Sequence, residues 1–221
     1  MYSDLTGQVM NGSQRVLILA PHTDDAELGC GGTIARLLAS NADVHLVAFS
    51  TCEESLPEDA PRGLLRDEFI ESMRALGMPD GNARTFSYRV RHFPAHRQQV
   101  LEDLVKLRRE LNPAIVFIPA SSDTHQDHQT LHAEGVRAFR GGTILGYELP
   151  WNHITFSAQA FVTLSRSNLQ AKWEALTAYK SQFQLARNYF SWEFIEGLAR
   201  VRGAQVKVDY AEAFEVVRIK W

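Results

Sequence analysis

Three short, almost uninterrupted apolar runs mark the first half of the chain: Val16–Pro21 (VLILAP), Val44–Ser50 (VHLVAFS) and Ala114–Pro119 (AIVFIP). Runs of this length without polar alternation are expected of strands covered on both faces, as in a parallel sheet. Between the first two, Leu28, Ile34, Leu37 and Leu38 form a helical stripe across Ala26–Asn41, so the order is strand, helix, strand. Helical spacing returns in Pro61–Leu76 (Leu64, Leu65, Phe69, Met73, Leu76), which stops at Gly77 with Pro79 beyond. It returns again in Ala95–Leu111 (Val100, Leu104, Leu107, Leu111), just before the third apolar run.

Beyond residue 130 the elements shorten. The pattern predicts a helix from about Gln129 to Phe139, strands at Thr143–Tyr147 and Phe161–Ser165, helices within Leu169–Phe183 and Tyr189–Arg200, and a closing strand near Ala213–Ile219. Alternation of strands and helices predicts an α/β fold: a single-domain, Rossmann-like open sheet, mostly parallel, with helices on both faces. The acidic loop Thr51–Ala60, interrupted by Pro57, is expected at the carboxyl edge of that sheet.

Composition narrows the classes. At 221 residues, 45% apolar and 22% charged, the chain fits one ordinary globular domain, 1–221. Lys+Arg (23) against Asp+Glu (26) gives a net charge of −3, without the basic excess that a nucleic-acid partner requires. Two cysteines, Cys30 and Cys52, make no disulfide framework and fit a reducing compartment. The polar start Met1–Arg15 has no signal-peptide core and no apolar run is long enough to span a bilayer, so a cytoplasmic protein without a membrane partner is expected.

The chemistry concentrates behind two of the predicted strands. Ala20-Pro21-His22-Thr23-Asp24-Asp25-Ala26-Glu27 follows the first and opens the first helix. Ligands of open α/β sheets bind at that edge. His22 and Asp25 are three residues apart, so on a helical turn an imidazole and a carboxylate can reach one ion. A helix cap by Thr23 or Asp24 would use one or two of these residues and leave His22 and the second aspartate unexplained. Ser122-Asp123-Thr124-His125-Gln126-Asp127-His128 follows the third run and offers a metal ligand, a second imidazole for acid–base or electrostatic work, and a carboxylate to fix a tautomer. Two such clusters at corresponding strand ends point to one shared metal site.

Gly29-Cys30-Gly31-Gly32 fails as a dinucleotide-binding turn, because a GxGxxG starting at Gly29 would need glycine where Ile34 stands. These glycines read as allowing close helix–sheet packing. The turn Tyr147–His153 could place an aromatic platform over a ligand or be a packed turn, and the basic, aromatic stretch Arg84–Arg97 could hold an anionic ligand but reads first as a solvated surface.

These residues resemble the LmbE-like, or PIG-L-like, metal-dependent N-deacetylases. The resemblance rests on PHTDDAELGCGGTI at Pro21–Ile34, where that family reads (A/P)HPDDE with a glycine-rich continuation, and on HQDH at His125–His128, where it reads HPDH or HxDH. Weaker echoes are RDE at Arg66–Glu68, KSQ at Lys180–Gln182 and YAEAFEV at Tyr210–Val216. Thr23 stands in place of the usual proline, and Ala26 lies between the second aspartate and Glu27.

The resemblance implies that His22, Asp25 and His128 bind Zn2+, or another divalent metal, and leave positions open for water and substrate. Asp24 would be the general base. A protonated His125 would face the developing oxyanion or protonate the leaving amine, with Asp127 orienting it, and Arg66 would reach the substrate. A metal held by two histidines and one carboxylate with an open position is in any case a catalytic arrangement, whereas structural zinc is closed and usually cysteine-rich. The expected function is hydrolysis of the N-acetyl group of an N-acetylated amino sugar or glycoconjugate, giving a free amine and acetate, in a chain that could form homo-oligomers, as is common in that family. The alternatives are an amidase for a larger acyl group and a noncatalytic metal- or sugar-binding protein; a binding protein would have no need of Asp24 and His125.

Overall fold

The computed structural model describes residues 14–220, so most of the polar start lies outside the described residues. A seven-stranded sheet organises them: β1 (Arg15–His22), β2 (Asp43–Ser50), β3 (Ala83–Thr85), β4 (Ile115–Pro119), β5 (Thr143–Tyr147), β6 (Ala160–Leu164) and β7 (Tyr210–Arg218), in the spatial order β3-β2-β1-β4-β5-β7-β6. The first five strands pair in parallel, and β7 runs antiparallel to both β5 and β6. The helices are α1 (Asp25–Ala39), α2 (Leu64–Ala75), α3 (Arg97–Leu111), α4 (Gln126–Ala138), α5 (Arg166–Thr177), α6 (Lys180–Gln184) and α7 (Trp192–Gln205).

The apolar runs are the central strands. In β1, Val16 and Ile18 face one hydrophobic layer with Ile34 of α1 and Phe69 of α2, while Leu17 and Leu19 face the other with Leu104 of α3 and Leu131 of α4. A period of two with both faces covered gives a continuous apolar run. Burial of each of Leu17, Ile18 and Leu19 contributes roughly 1.5–3 kcal/mol.

Strand order decides where the site forms. The chain leaves β1 for β2 on one side and reaches β4 on the other, so the carboxyl ends of β1 and β4 flank the switch point of the sheet. The first cluster follows β1 and the second follows β4, which brings them together.

Three features escape the sequence pattern. β3 has only three residues, too few to show a period. The stretch expected to hold helices up to Phe183 breaks after Thr177, where Tyr179 is fully buried. Helix α1 is kinked at Cys30, whose φ of −148° interrupts its hydrogen-bond ladder. At the kink the Lys172 ammonium donates to the Leu28 carbonyl (2.7 Å) and to Glu212 (2.7 Å), and Glu212 accepts the amides of Gly32 (3.0 Å) and Thr33 (2.7 Å). A buried ion pair thus satisfies backbone groups that the kink frees. A Cβ on Gly29 would collide with the Tyr147 ring and one on Gly32 would lie 2.5 Å from Leu164, so the helix approaches the sheet closely only because these residues are glycine.

Candidate active site

His22 ends β1 and Asp25 begins α1, while His125 caps α4 and His128 lies in its first turn. His22 Nδ1 is 3.1 Å from Asp25 Oδ2 and 3.2 Å from His128 Nε2, and His128 Nε2 is 3.3 Å from the same Asp25 oxygen. Tetrahedral ligands at 2.0–2.2 Å from zinc lie about 3.4 Å from one another, close to the sides of this triangle. The three imidazoles also offer a wider set, with one nitrogen each from His22, His125 and His128 within 4.8 Å of one another. The tighter set has the separations of ligands on one ion.

Carboxylates behind the imidazoles orient them. His22 Nε2 meets Asp127 Oδ2 at 3.1 Å, and His128 Nδ1 meets Asp123 Oδ2 at 2.7 Å. If these nitrogens carry the protons, the converging nitrogens present lone pairs toward the Asp25 carboxylate, and three acceptors facing one point require a cation or a proton. Burial works against charging His128, but Asp25 and Asp123 overcome it and raise its pKa to about 10. Burial likewise opposes the charge on Asp25, and the two imidazoles outweigh it to hold the carboxyl far below its usual range.

Asp127 differs from the sequence expectation. Its carboxylate serves His22 rather than His125, and it also accepts the amides of Arg91 (2.5 Å) and Phe93 (3.1 Å). A left-handed φ of 68° at Arg91 turns this segment so that both amides converge. His125 is held instead by the backbone, its Nδ1 accepting the Asp127 amide at 3.2 Å. Because Nδ1 accepts that amide, Nε2 is the nitrogen left to donate, and burial with the neighbouring His128 and His22 lowers the His125 pKa, which disfavours the protonated ring that the resemblance implies.

Asp24 occupies the cap position of α1 without a side-chain capping bond, so the capping explanation does not account for it. Buried at the cavity wall, it has its pKa raised to about 6, first by desolvation and then by Asp25, against the opposing pull of His22 and Arg187. A carboxylate tuned toward neutrality suits a general base.

The cavity over these groups measures about 250 Å³. Trp151, from the anticipated aromatic turn, lines it and stacks on Tyr189 at 3.7 Å with 10° between the planes. Tyr147 does not line it; it is buried, with its hydroxyl on the Leu19 carbonyl. Arg66 is exposed and outside the lining, where its neighbour Leu65 is present.

The weak RDE and KSQ echoes meet in space. Ser181 donates from its amide (2.9 Å) and its hydroxyl (2.6 Å) to the two oxygens of Glu68. Beside them, Glu27 accepts the hydroxyls of Ser72 and Tyr179, both at 2.6 Å. Sequence reading overlooked Asp123, although it lies two residues before His125 in the same motif, and Arg187, which carries no motif signal.

The fold and site define a doubly wound α/β protein with a histidine–carboxylate centre at the carboxyl edge of its sheet. The chain belongs to the PIG-L family, described as GlcNAc-PI de-N-acetylase, whose profile matches residues 17–139. It is 29% identical to the uncharacterized deacetylase YaiS of Escherichia coli K12 over 77% of this chain and 93% of that protein. It is 26% identical to the diacetylchitobiose deacetylase of Thermococcus kodakarensis over 94% of this chain and 84% of that protein. Among solved structures, the conserved protein TT1542 of Thermus thermophilus superposes with a TM-score of 0.78 at 26% identity, covering 94% of this chain and 96% of that one. No helix of the described residues is long and apolar enough to cross a membrane.

Proposed function

We propose that the protein is a metal-dependent hydrolase that removes the acetyl group from an N-acetylated amino sugar, releasing acetate and a free amine. The observation that carries this reading is the convergence of His22 Nδ1, Asp25 Oδ2 and His128 Nε2 beside a separate base, Asp24, and a separate donor, His125, in one cavity. These three atoms would hold zinc or another divalent ion, which when bound supplies Lewis acidity toward the amide oxygen and acidifies water. The donor set fits: two imidazoles and a carboxylate match an open catalytic site.

The chain's own groups then divide the work. Asp24 takes a proton from the attacking water, whose oxygen bonds to the acetamide carbon. The neutral His125 offers Nε2–H to the charge that develops on the amide oxygen, a contribution of the kind worth about 3–4 kcal/mol. As the C–N bond breaks, the proton on Asp24 passes to the departing nitrogen. Asp127 and Asp123 keep the His22 and His128 rings in the required tautomer. The 250 Å³ cavity, below the roughly 300 Å³ at which drug-sized sites begin, matches a single sugar ring with its acetyl group. The diacetylchitobiose deacetylase relative supports an N-acetylated sugar in place of a larger acyl group.

The test is metal analysis of the purified protein, followed by acetate release from N-acetyl sugars before and after chelation and after zinc is restored. Chelation should abolish release and zinc should return it. Undiminished turnover by fully stripped protein overturns the mechanism, and no acetate from any sugar overturns the substrate class.

A further inference from the structure

We propose that Arg187 makes this cavity selective for N-acetylated sugars that carry an anionic group, a carboxylate or a phosphate, beside the ring. The inference rests on the deacetylase reading and adds the charge of the substrate to it.

Besides the histidines, the charged side chains lining the cavity are Asp24, Asp25 and Arg187. Arg187 therefore brings the guanidinium. It donates from Nη1 to the Tyr189 hydroxyl at 2.8 Å, and among the described residues no carboxylate pairs with it. A guanidinium has five N–H donors in a planar fork suited to a carboxylate or phosphate, so most of its capacity is open. Away from this lining, Arg202 is paired with Glu148 and Arg97 with Glu134, and Arg66 and Arg91 are exposed.

The segment that carries Arg187 is held in place. Upstream, Ser181 is bound to Glu68 and Gln182 is buried at the cavity wall. Downstream, Phe190 is buried and Ser191 caps α7 through the Phe194 amide. Between them Ala186 adopts a left-handed φ of 48°, and Tyr189 stacks on Trp151. The cation and the aromatic wall thus form one preorganised surface, which recognises charge and a ring face together. Arg187 also lies near enough to Asp24 to pull its pKa down, so the competing account is that it serves only to balance that carboxylate.

Substrate charge separates the two accounts. The metal-loaded protein and its Arg187→Met and Arg187→Lys variants are assayed for kcat/KM on N-acetylglucosamine, its 1-phosphate, its 6-phosphate and N-acetylmuramic acid. The wild type should favour at least one anionic sugar over the neutral one. Arg187→Met should reduce the anionic-to-neutral ratio roughly 10- to 100-fold, the usual scale of a hydrogen-bonded charge, and Arg187→Lys should recover part of it. Comparing the two phosphates with N-acetylmuramic acid assigns the group to phosphate or carboxylate. A ratio unchanged by Arg187→Met overturns the proposal, because an effect through Asp24 scales all substrates alike; a wild type without anionic preference overturns it too. If no sugar releases acetate, the deacetylase reading fails by itself. Calorimetric titration with glucosamine 6-phosphate, glucosamine 1-phosphate and glucosamine then decides the selectivity: tighter phosphate binding that Arg187→Met removes supports it, and equal binding overturns it.

Discussion

Replacing Asp127 by asparagine separates the observed network from the one its place in the motif suggests. The carboxylate accepts from His22 Nε2 (3.1 Å) and the Arg91 amide (2.5 Å) on one oxygen and from the Phe93 amide (3.1 Å) on the other. Asparagine has one acceptor oxygen, so its NH2 must face at least one of these donors. The less costly orientation keeps His22 and Arg91 and sacrifices Phe93, a bond to a charged acceptor worth about 1.5–3 kcal/mol. At about 2–4 °C per kcal/mol for a protein of this size, the apoprotein should melt about 3–12 °C lower. The negative charge behind His22 is also lost, and removal of such a partner weakens metal binding about 10- to 100-fold, equivalent to about 1.4–2.7 kcal/mol. Competition titration against a chromophoric chelator at pH 7, with melting curves of apo and loaded protein, measures both. If Asp127 worked through His125, asparagine would slow turnover and leave metal affinity intact. Affinity within twofold of wild type therefore refutes the assignment of Asp127 to His22.

Asp24→Asn should retain metal while kcat drops roughly 100- to 10,000-fold, whereas Asp25→Ala should lose the metal; metal content and kcat measured on both variants reverse the roles if Asp24→Asn is the one that loses it. Lys172→Met leaves Glu212 without its buried counter-ion and the Leu28 carbonyl without its donor, a loss of about 3–5 kcal/mol that should lower Tm by about 6–20 °C; a calorimetric shift under about 2 °C would show that the pair does not secure the kink. Burial raises the Glu27 carboxyl from 4.5 to about 8, despite its bonds from Ser72 and Tyr179. The folded state consequently holds a proton that the unfolded chain releases, and the apoprotein loses stability as pH rises from about 4.5 toward 8. Glu27→Gln lacks this titration, so urea midpoints at pH 5 and 8 should diverge for the wild type more than for the variant; parallel shifts would contradict the burial effect.

The central strands and the two chemical clusters are legible in the order of amino acids alone. Val16–Pro21, Val44–Ser50 and Ala114–Pro119 are legible because a strand buried on both faces has no polar position to interrupt it. His22, Asp24, Asp25, His125 and His128 are legible because each cluster is contiguous in the chain and follows such a strand. None of these runs states which strand lies beside which. Only the strand order, with β1 between β2 and β4, places His128 against His22 across 106 positions and gives Asp127 to His22 rather than to its neighbour His125. The kink at Cys30 is bonded by Lys172 and Glu212, and Ser181, in the segment that leads to Arg187, is bonded to Glu68, contacts between segments far apart in sequence. Periodicity reports how deeply a residue is buried; the partner it meets there is set by packing over long sequence separations, and that was decided by the tertiary structure.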